Sequence, residues 1–217
     1  MEIGIIGYKG HSLKLLNLFS KNKSLKKIIV YSRKISTTQQ LKLENQNLKV
    51  FYSSTLSDLY NLKAIVISSS SNSHAYYIKK FIKKKLYIFC EKPAFVSRSD
   101  YTYLNNLDNS IKKKIYFNFN YKKSKLFLDL KKIILNKQHG RVVHSNIDIG
   151  HGIAFKKKYK NNWRFSKFDI FNNISGNLGI HYTNLLEAYF GQPIKSEINI
   201  SSVSNKSKFD TATILTI

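Results

Sequence analysis

Cysteine is nearly absent. Cys90 stands alone in the 217 residues, so no internal disulfide forms, no CxxC metal pair exists, and a reducing compartment fits. Carboxylates are scarce too, with 12 Asp and Glu against 37 Lys and Arg and a net charge of +25. Such an excess draws phosphate polymers in principle. Yet arginine, the residue suited to bidentate phosphate and base contacts, occurs only at Arg33, Arg98, Arg141 and Arg164. The lysines are scattered among Asn, Ile, Tyr, Phe and Ser, the bias of an A/T-rich coding sequence, and specific nucleic-acid binding is not expected. No apolar stretch nears the roughly 20 residues that span a bilayer, and the opening MEIGIIGYKG lacks a signal peptide's layout. Membrane insertion is therefore not expected, and a cytoplasmic location is. His11, His139 and His144 lack metal-ligand spacing to carboxylates or to cysteine, so no metal is expected.

What the sequence does contain is a 42% apolar content in short runs, enough to bury a core. Glu2 to Ile6, Ile28 to Tyr31, Val50 to Tyr52, Ala64 to Ile67, Leu86 to Phe89 and Ile115 to Phe119 read as strands. Between them, Leu13, Leu16 and Phe19, and then Tyr77, Ile78, Phe81 and Ile82, recur at helical spacing. The alternation predicts an α/β fold: a Rossmann-type parallel sheet with helices over residues 1–118, followed over 119–217 by a partial α+β domain with a mostly antiparallel sheet. In that second part Phe127, Leu130, Ile133 and Ile134 mark a helix, and Val142 to Ile149, Glu197 to Val203 and Thr211 to Ile217 mark strands. The last strand runs to the terminal Ile217, an unprotected sheet edge, and a truncated chain is expected.

After the first strand, IGIIGYKGHS places Gly7, Tyr8, Lys9 and Gly10 where a helix begins and where free N–H groups hold a pyrophosphate. Lys9 and Ser12 occupy positions that a full GxGxxG gives to glycine, so these residues fit a phosphate turn or an ordinary tight turn equally. The second strand ends in Ser32 and Arg33 without the carboxylate that binds an NAD ribose. That pair suits a 2′-phosphate, favouring NADP over NAD, or is simply a polar strand end.

From Ala64 the chain reads AIVISSSSNSHAYYIKKFIKKKLYIFCEKPAFVS. Asn72 and His74 after one strand, and Glu91-Lys92-Pro93 after the next, resemble the landmarks of the Gfo/Idh/MocA oxidoreductase family, with Ser71 where proline is usual. Asn120-Tyr121 resembles the segment where that family crosses between domains, with Lys122 in place of its frequent arginine, and Gly140-Arg141-Val142 resembles its turn into the second sheet. SGNLGIHYTNLLEAYFG, from Ser175 to Gly191, is similar to its Asp-x-Gly-x-His helix in Gly179, His181 and Gly191.

The resemblance implies a hydride transfer between NAD(P) and a hydroxyl or carbonyl carbon of a sugar, sugar derivative or nucleotide sugar. It implies that Ser69, Asn72, His74, Glu91 and Lys92 join the glycine turn around the cofactor. It places Lys92 at nicotinamide and substrate, and makes His181 the acid/base, with Asn177 where the family has aspartate. An amide cannot hold the negative charge that stabilises an imidazolium, so a catalytically impaired cofactor- or ligand-binding homologue is the alternative. Tyr121 and the stretch bearing Lys156, Trp163 and Arg164 are expected at the substrate, the last as a contact to an anionic sugar or as an exposed basic loop. The family's habit implies a homo-oligomer for a full-length form.

Overall fold

The computed structural model describes residues 1–8, 10–33, 49–137, 139–150, 175–201 and 211–217. The chain divides into two units, Met1–Asn118 and Phe119–Ile217.

The first unit is a six-stranded parallel sheet: β1 (Glu2–Ile6), β2 (Lys27–Tyr31), β3 (Lys49–Ser53), β4 (Ala64–Ile67), β5 (Tyr87–Cys90) and β6 (Ile115–Phe117). The spatial order is β3-β2-β1-β4-β5-β6, so the direction of travel reverses between β1 and β4. Crossovers run through α1 (His11–Ser20) after β1 and α2 (His74–Phe81) after β4, while α3 (Arg98–Asn105) and the short α4 (Asn109–Lys112) join β5 to β6.

The central strands β1, β2 and β4 read as continuous apolar runs because they are buried on both faces, whereas the edge strands β3 and β6 keep exposed positions. Alternate side chains go to opposite layers. Ile3, Ile5, Ile28, Val30 and Val66 meet Leu15 and Leu16 of α1. Ile6, Ile29, Tyr31, Ile65, Ile67, Ile88 and Cys90 meet Tyr77, Ile78 and Phe81 of α2 and Leu104 of α3. Gly4 is the gap in this scheme: a Cβ there would lie 2.8 Å from Ile65 Cδ1 and 2.9 Å from Leu59 Cδ2, and its absence lets Leu59 and Leu62 seat on the sheet. Cys90 is fully buried, and burial first, then the adjacent Glu91 charge, pushes its thiol far above the usual range.

α3 starts on a cap. Ser97 Oγ accepts from the Asp100 backbone N–H at 3.1 Å and donates to the Asp100 carboxylate at 2.8 Å, and that carboxylate favours the helix N-terminus. It also pairs with Lys79 Nζ of α2 at 2.6 Å, fastening two helices on one face of the sheet.

In the second unit, α5 (Lys125–Leu135) is capped by Ser124, whose Oγ accepts from Phe127 N–H at 3.2 Å. It packs on α6 (Ile180–Phe190) through the stacked rings of Phe127 and Tyr189, 4.9 Å apart. Gly191 ends α6 at φ 90°, a conformation glycine adopts without strain. β7 (Ser196–Ser201) and β8 (Thr211–Thr216) pair antiparallel. The strand expected over Val142 to Ile149 is corrected: these residues are described without strand structure and join no sheet among the described residues. Among the described residues no helix is long and apolar enough to cross a membrane.

Two outcomes follow for stability. Phe81 is fully buried under the sheet, and Phe81→Ala is expected to lower the unfolding free energy by about 3–5 kcal/mol, read by urea denaturation. The Asp100 carboxyl is held below its ordinary range, chiefly by the Lys79 hydrogen bond. Its contribution is therefore present above the unfolded carboxyl pKa and is lost as the pH falls through the lowered folded value. Asp100→Asn should lower the melting temperature at about pH 7 more than at about pH 3.

Candidate active site

The carboxyl ends of β1, β4, β5 and β6 deliver the chemistry-bearing residues to one edge of the first unit. Gly7 leaves β1 at φ 116°, and its N–H donates to Tyr31 O at 3.0 Å. A Cβ on Gly7 would lie 2.6 Å from Ser12 Oγ and 3.1 Å from Ser68 O. The turn is drawn that close because the Ser12 and Ser68 hydroxyls are 2.7 Å apart. Gly10 follows at φ 55°, with no atom within 4 Å of where its Cβ would stand. It caps α1 without any side-chain hydrogen bond to the helix N-terminus. α1 thus begins at the sheet's switch point without a side-chain cap from its N-cap residue, the arrangement that receives a dinucleotide's pyrophosphate. The residues present fit that group, with glycine where the backbone must approach it.

His11 opens α1, and its Nε2–H donates to Glu91 Oε1 at 2.9 Å; the same oxygen accepts from Asn118 Nδ2 at 2.7 Å. Glu91 is backed by the sheet, its own N–H donating to Ile67 O at 2.9 Å, while Asn118 N–H donates to Cys90 O at 2.8 Å. One carboxylate therefore joins the turn after β1 to the ends of β5 and β6. Lys92, half-buried, follows Glu91 and is joined to Pro93 by a cis peptide.

His74, expected around the cofactor, opens α2. It is 1% exposed, with Nδ1 2.7 Å from Pro93 O and Nε2 3.0 Å from Ser69 O. Both ring nitrogens are spent on backbone, so this histidine shapes the edge from beneath. Burial pulls its pKa down, opposed by the two carbonyls and the Glu91 charge. In the loop before α2, Ser69 Oγ lies 2.7 Å from Ser73 Oγ, and Ser70 Oγ donates to the exposed Asn72 Oδ1 at 2.7 Å. At the end of β2, Ser32 N–H donates to Ser53 O at 3.1 Å and Arg33 is exposed. The Arg33 charge reaches Tyr77, whose phenol is pushed up by burial and, more weakly, drawn down by Arg33. Tyr8 is partly buried against the α1 layer.

In the second unit His181 is 7% exposed on α6. Its ring stacks on Tyr121 at 4.3 Å and 13°, with Phe119 edge-on at 6.4 Å. Tyr121 also meets Tyr182 edge-on at 5.6 Å, and burial, then Tyr121, raises the Tyr182 phenol. Asn184 Oδ1, one helical turn on, is buried without a hydrogen-bond partner among the described residues. Asn177 lies in the wide turn Ser175–Gly179 that leads into α6. Lys9, Lys156, Trp163 and Arg164 lie outside the described residues.

The structure thus gathers Gly7, Gly10, Ser69, Glu91 and Lys92 on one sheet edge, and Tyr121 with His181 within the second unit. The sequence reading missed His11, Ser12, Ser68 and Asn118. Ser68 and Asn118 directly follow strands, and His11 and Ser12 open the helix after the first strand, the one signal that marked them.

The model of the Gfo/Idh/MocA oxidoreductase family, NAD-binding Rossmann fold, matches residues 1–119, and the chain belongs to this family. No curated protein sequence matches it. Among solved structures, the probable oxidoreductase yhhX is 18% identical with a TM-score of 0.73, over 99% of this chain and 61% of that one. Myo-inositol 2-dehydrogenase from Lactobacillus plantarum is 19% identical with a TM-score of 0.70, over 93% and 60%. The WlbA (WbpB) dehydrogenase from Thermus thermophilus, solved in complex with NAD and UDP-GlcNAcA, is 14% identical with a TM-score of 0.70, over 94% and 67%. At these identities the likeness establishes the fold. The chain spans about three fifths of the length of the first two.

Glu91→Ala removes the shared acceptor and leaves the Asn118 amide and the His11 ring without their partner. A loss of about 1–3 kcal/mol is expected, recovered in part by Glu91→Gln, whose amide oxygen still accepts; paired urea titrations measure both.

Proposed function

We propose that this chain serves an NAD(P)-dependent oxidoreductase that moves a hydride between nicotinamide and the CH–OH carbon of a sugar, sugar derivative or nucleotide sugar. The observation that carries the reading is the sheet edge itself: an uncapped helix N-terminus at the switch point, with Lys92 on a turn anchored beside it by Glu91.

When bound, the nicotinamide supplies the hydride donor or acceptor. Gly7 and Gly10 admit the pyrophosphate, with Tyr8 and Lys9 on the same turn. Ser69 and Asn72 border the cofactor from the β4 loop, and Ser32 with Arg33 receives the 2′-phosphate that favours NADP over NAD. Lys92 polarises the reacting oxygen, a role suited to an ammonium whose basicity responds to its surroundings. His181 exchanges the hydroxyl proton, and the stacked Tyr121 fixes its ring plane. Asn177 orients ring or sugar through hydrogen bonds, and Lys156, Trp163 and Arg164 are assigned to the substrate. The reading includes a cytoplasmic setting and a homo-oligomer for the longer form.

A second reading, a cofactor- or ligand-binding homologue with impaired chemistry, draws on Lys9 and Asn177, where the family has glycine and aspartate.

Titration with NADPH and NADH separates the two. Tighter NADPH binding is expected, weakened about tenfold or more in Arg33→Ala through loss of a charge-assisted contact. Lys92→Ala and His181→Ala are each expected to lower turnover by about 10²–10⁴ while leaving a folded protein. Saturable cofactor binding without turnover on sugars or nucleotide sugars selects the second reading, and no binding of either cofactor refutes the dehydrogenase reading.

A further inference from the structure

His74 poses a question of proton count. Its two ring nitrogens face the carbonyl oxygens of Pro93 and Ser69 at 2.7 and 3.0 Å. A carbonyl oxygen only accepts, so each contact is a hydrogen bond only where the facing nitrogen carries a proton. Neutral imidazole has one N–H and one lone pair; it serves one carbonyl and turns its lone pair on the other. The imidazolium serves both.

The surroundings divide over that second proton. The loop supplying Ser69 contains only serine and asparagine from Ser68 to Ser73. The strand end and turn supplying Pro93 bring Cys90, Glu91 and Lys92, and α2 itself brings Tyr76, Tyr77, Lys79 and Lys80. Of these, the Glu91 carboxylate acts on the ring in favour of the proton, while burial, the larger influence, acts against it. That carboxylate is immobilised by His11 and Asn118. The ring therefore has a fixed counter-charge, two fixed acceptors and almost no water.

We propose that His74 is a positioning residue that staples the Ser69 loop to the Lys92–Pro93 turn through a proton: the imidazolium holds both carbonyls, and the neutral ring releases one. The staple stands on geometry alone. Its consequence for catalysis, that it sets where Lys92 stands relative to the β4 loop, rests on the dehydrogenase reading.

The test uses the whole ¹⁵N-labelled chain, following ring nitrogens and backbone amides by NMR from about pH 3 to about pH 8, a range carried below the ordinary imidazole window because burial lowers the His74 pKa. Two ring N–H signals are expected for His74 at the acid end, both protected from solvent by burial. One is lost as the pH rises, and in the same step the amide of Ser70 or Ala94, each bonded to a stapled carbonyl, shifts. In His74→Gln, which presents the same side-chain donors at every pH, that amide step disappears. A wild-type ring that keeps one N–H throughout, or that titrates while both amides stay still, overturns the staple. So does an amide step that survives in the glutamine variant. Because no cofactor is added, a ring that behaves as expected in a protein that binds neither NADPH nor NADH sinks the dehydrogenase reading and leaves the staple standing.

Discussion

Parallel strands end in separate loops, and nothing in the ladder fixes those loops to one another. In this fold the task falls to Glu91 Oε1, which accepts from His11 at 2.9 Å and Asn118 at 2.7 Å. Hydrogen bonds to an ionised acceptor are among the stronger ones in water-accessible proteins, and Glu91 is only 14% exposed. Its two donors come from the first helix and from beyond the last strand, on either side of β5. The turn bearing Lys92 has no regular structure of its own, and it is flanked by Glu91 in this bridge and by Pro93, whose carbonyl meets the His74 ring.

This arrangement explains which features were legible in the sequence. The central strands of the parallel sheet were visible because burial on both faces leaves unbroken apolar runs, the edge strands because short apolar runs stand between polar turns, and Lys92 because its tripeptide directly follows such a run. The partners of Glu91 were not. His11 and Asn118 lie 80 and 27 residues away, and local pattern does not say which loops meet. His74 was recognisable as a residue but not as a buried one, since one position at the start of a helix carries no period to show which way its ring turns. The Val142 to Ile149 segment shows the converse: its valines and isoleucines suit a strand, but a strand also requires a neighbour for its N–H and C=O groups.

The charge imbalance acquires a structural sense at the same edge. With 12 carboxylates in the whole chain, several of those described have assigned work. Glu91 ties loops, Asp100 caps α3 and binds Lys79, and Asp58 accepts from Ser53 Oγ at 2.5 Å. The Lys125 to Asp129 pair on α5 is largely exposed, where such pairs contribute little. The carboxylates that matter are therefore those that take hydrogen bonds from the fold, and the lysines outnumbering them are free to serve as solvating surface.

The solitary sulfhydryl has a use its chemistry did not suggest. Cys90 sits on β5 between β4 and β6 with no exposed surface, and its burial keeps the reactive thiolate form out of reach. A thiol reagent gains access only when the layer of α2 and α3 packed over that strand opens. The chain thus contains a native clock for the opening of its own core, in which each molecule records its first opening over β5 as one irreversible covalent event.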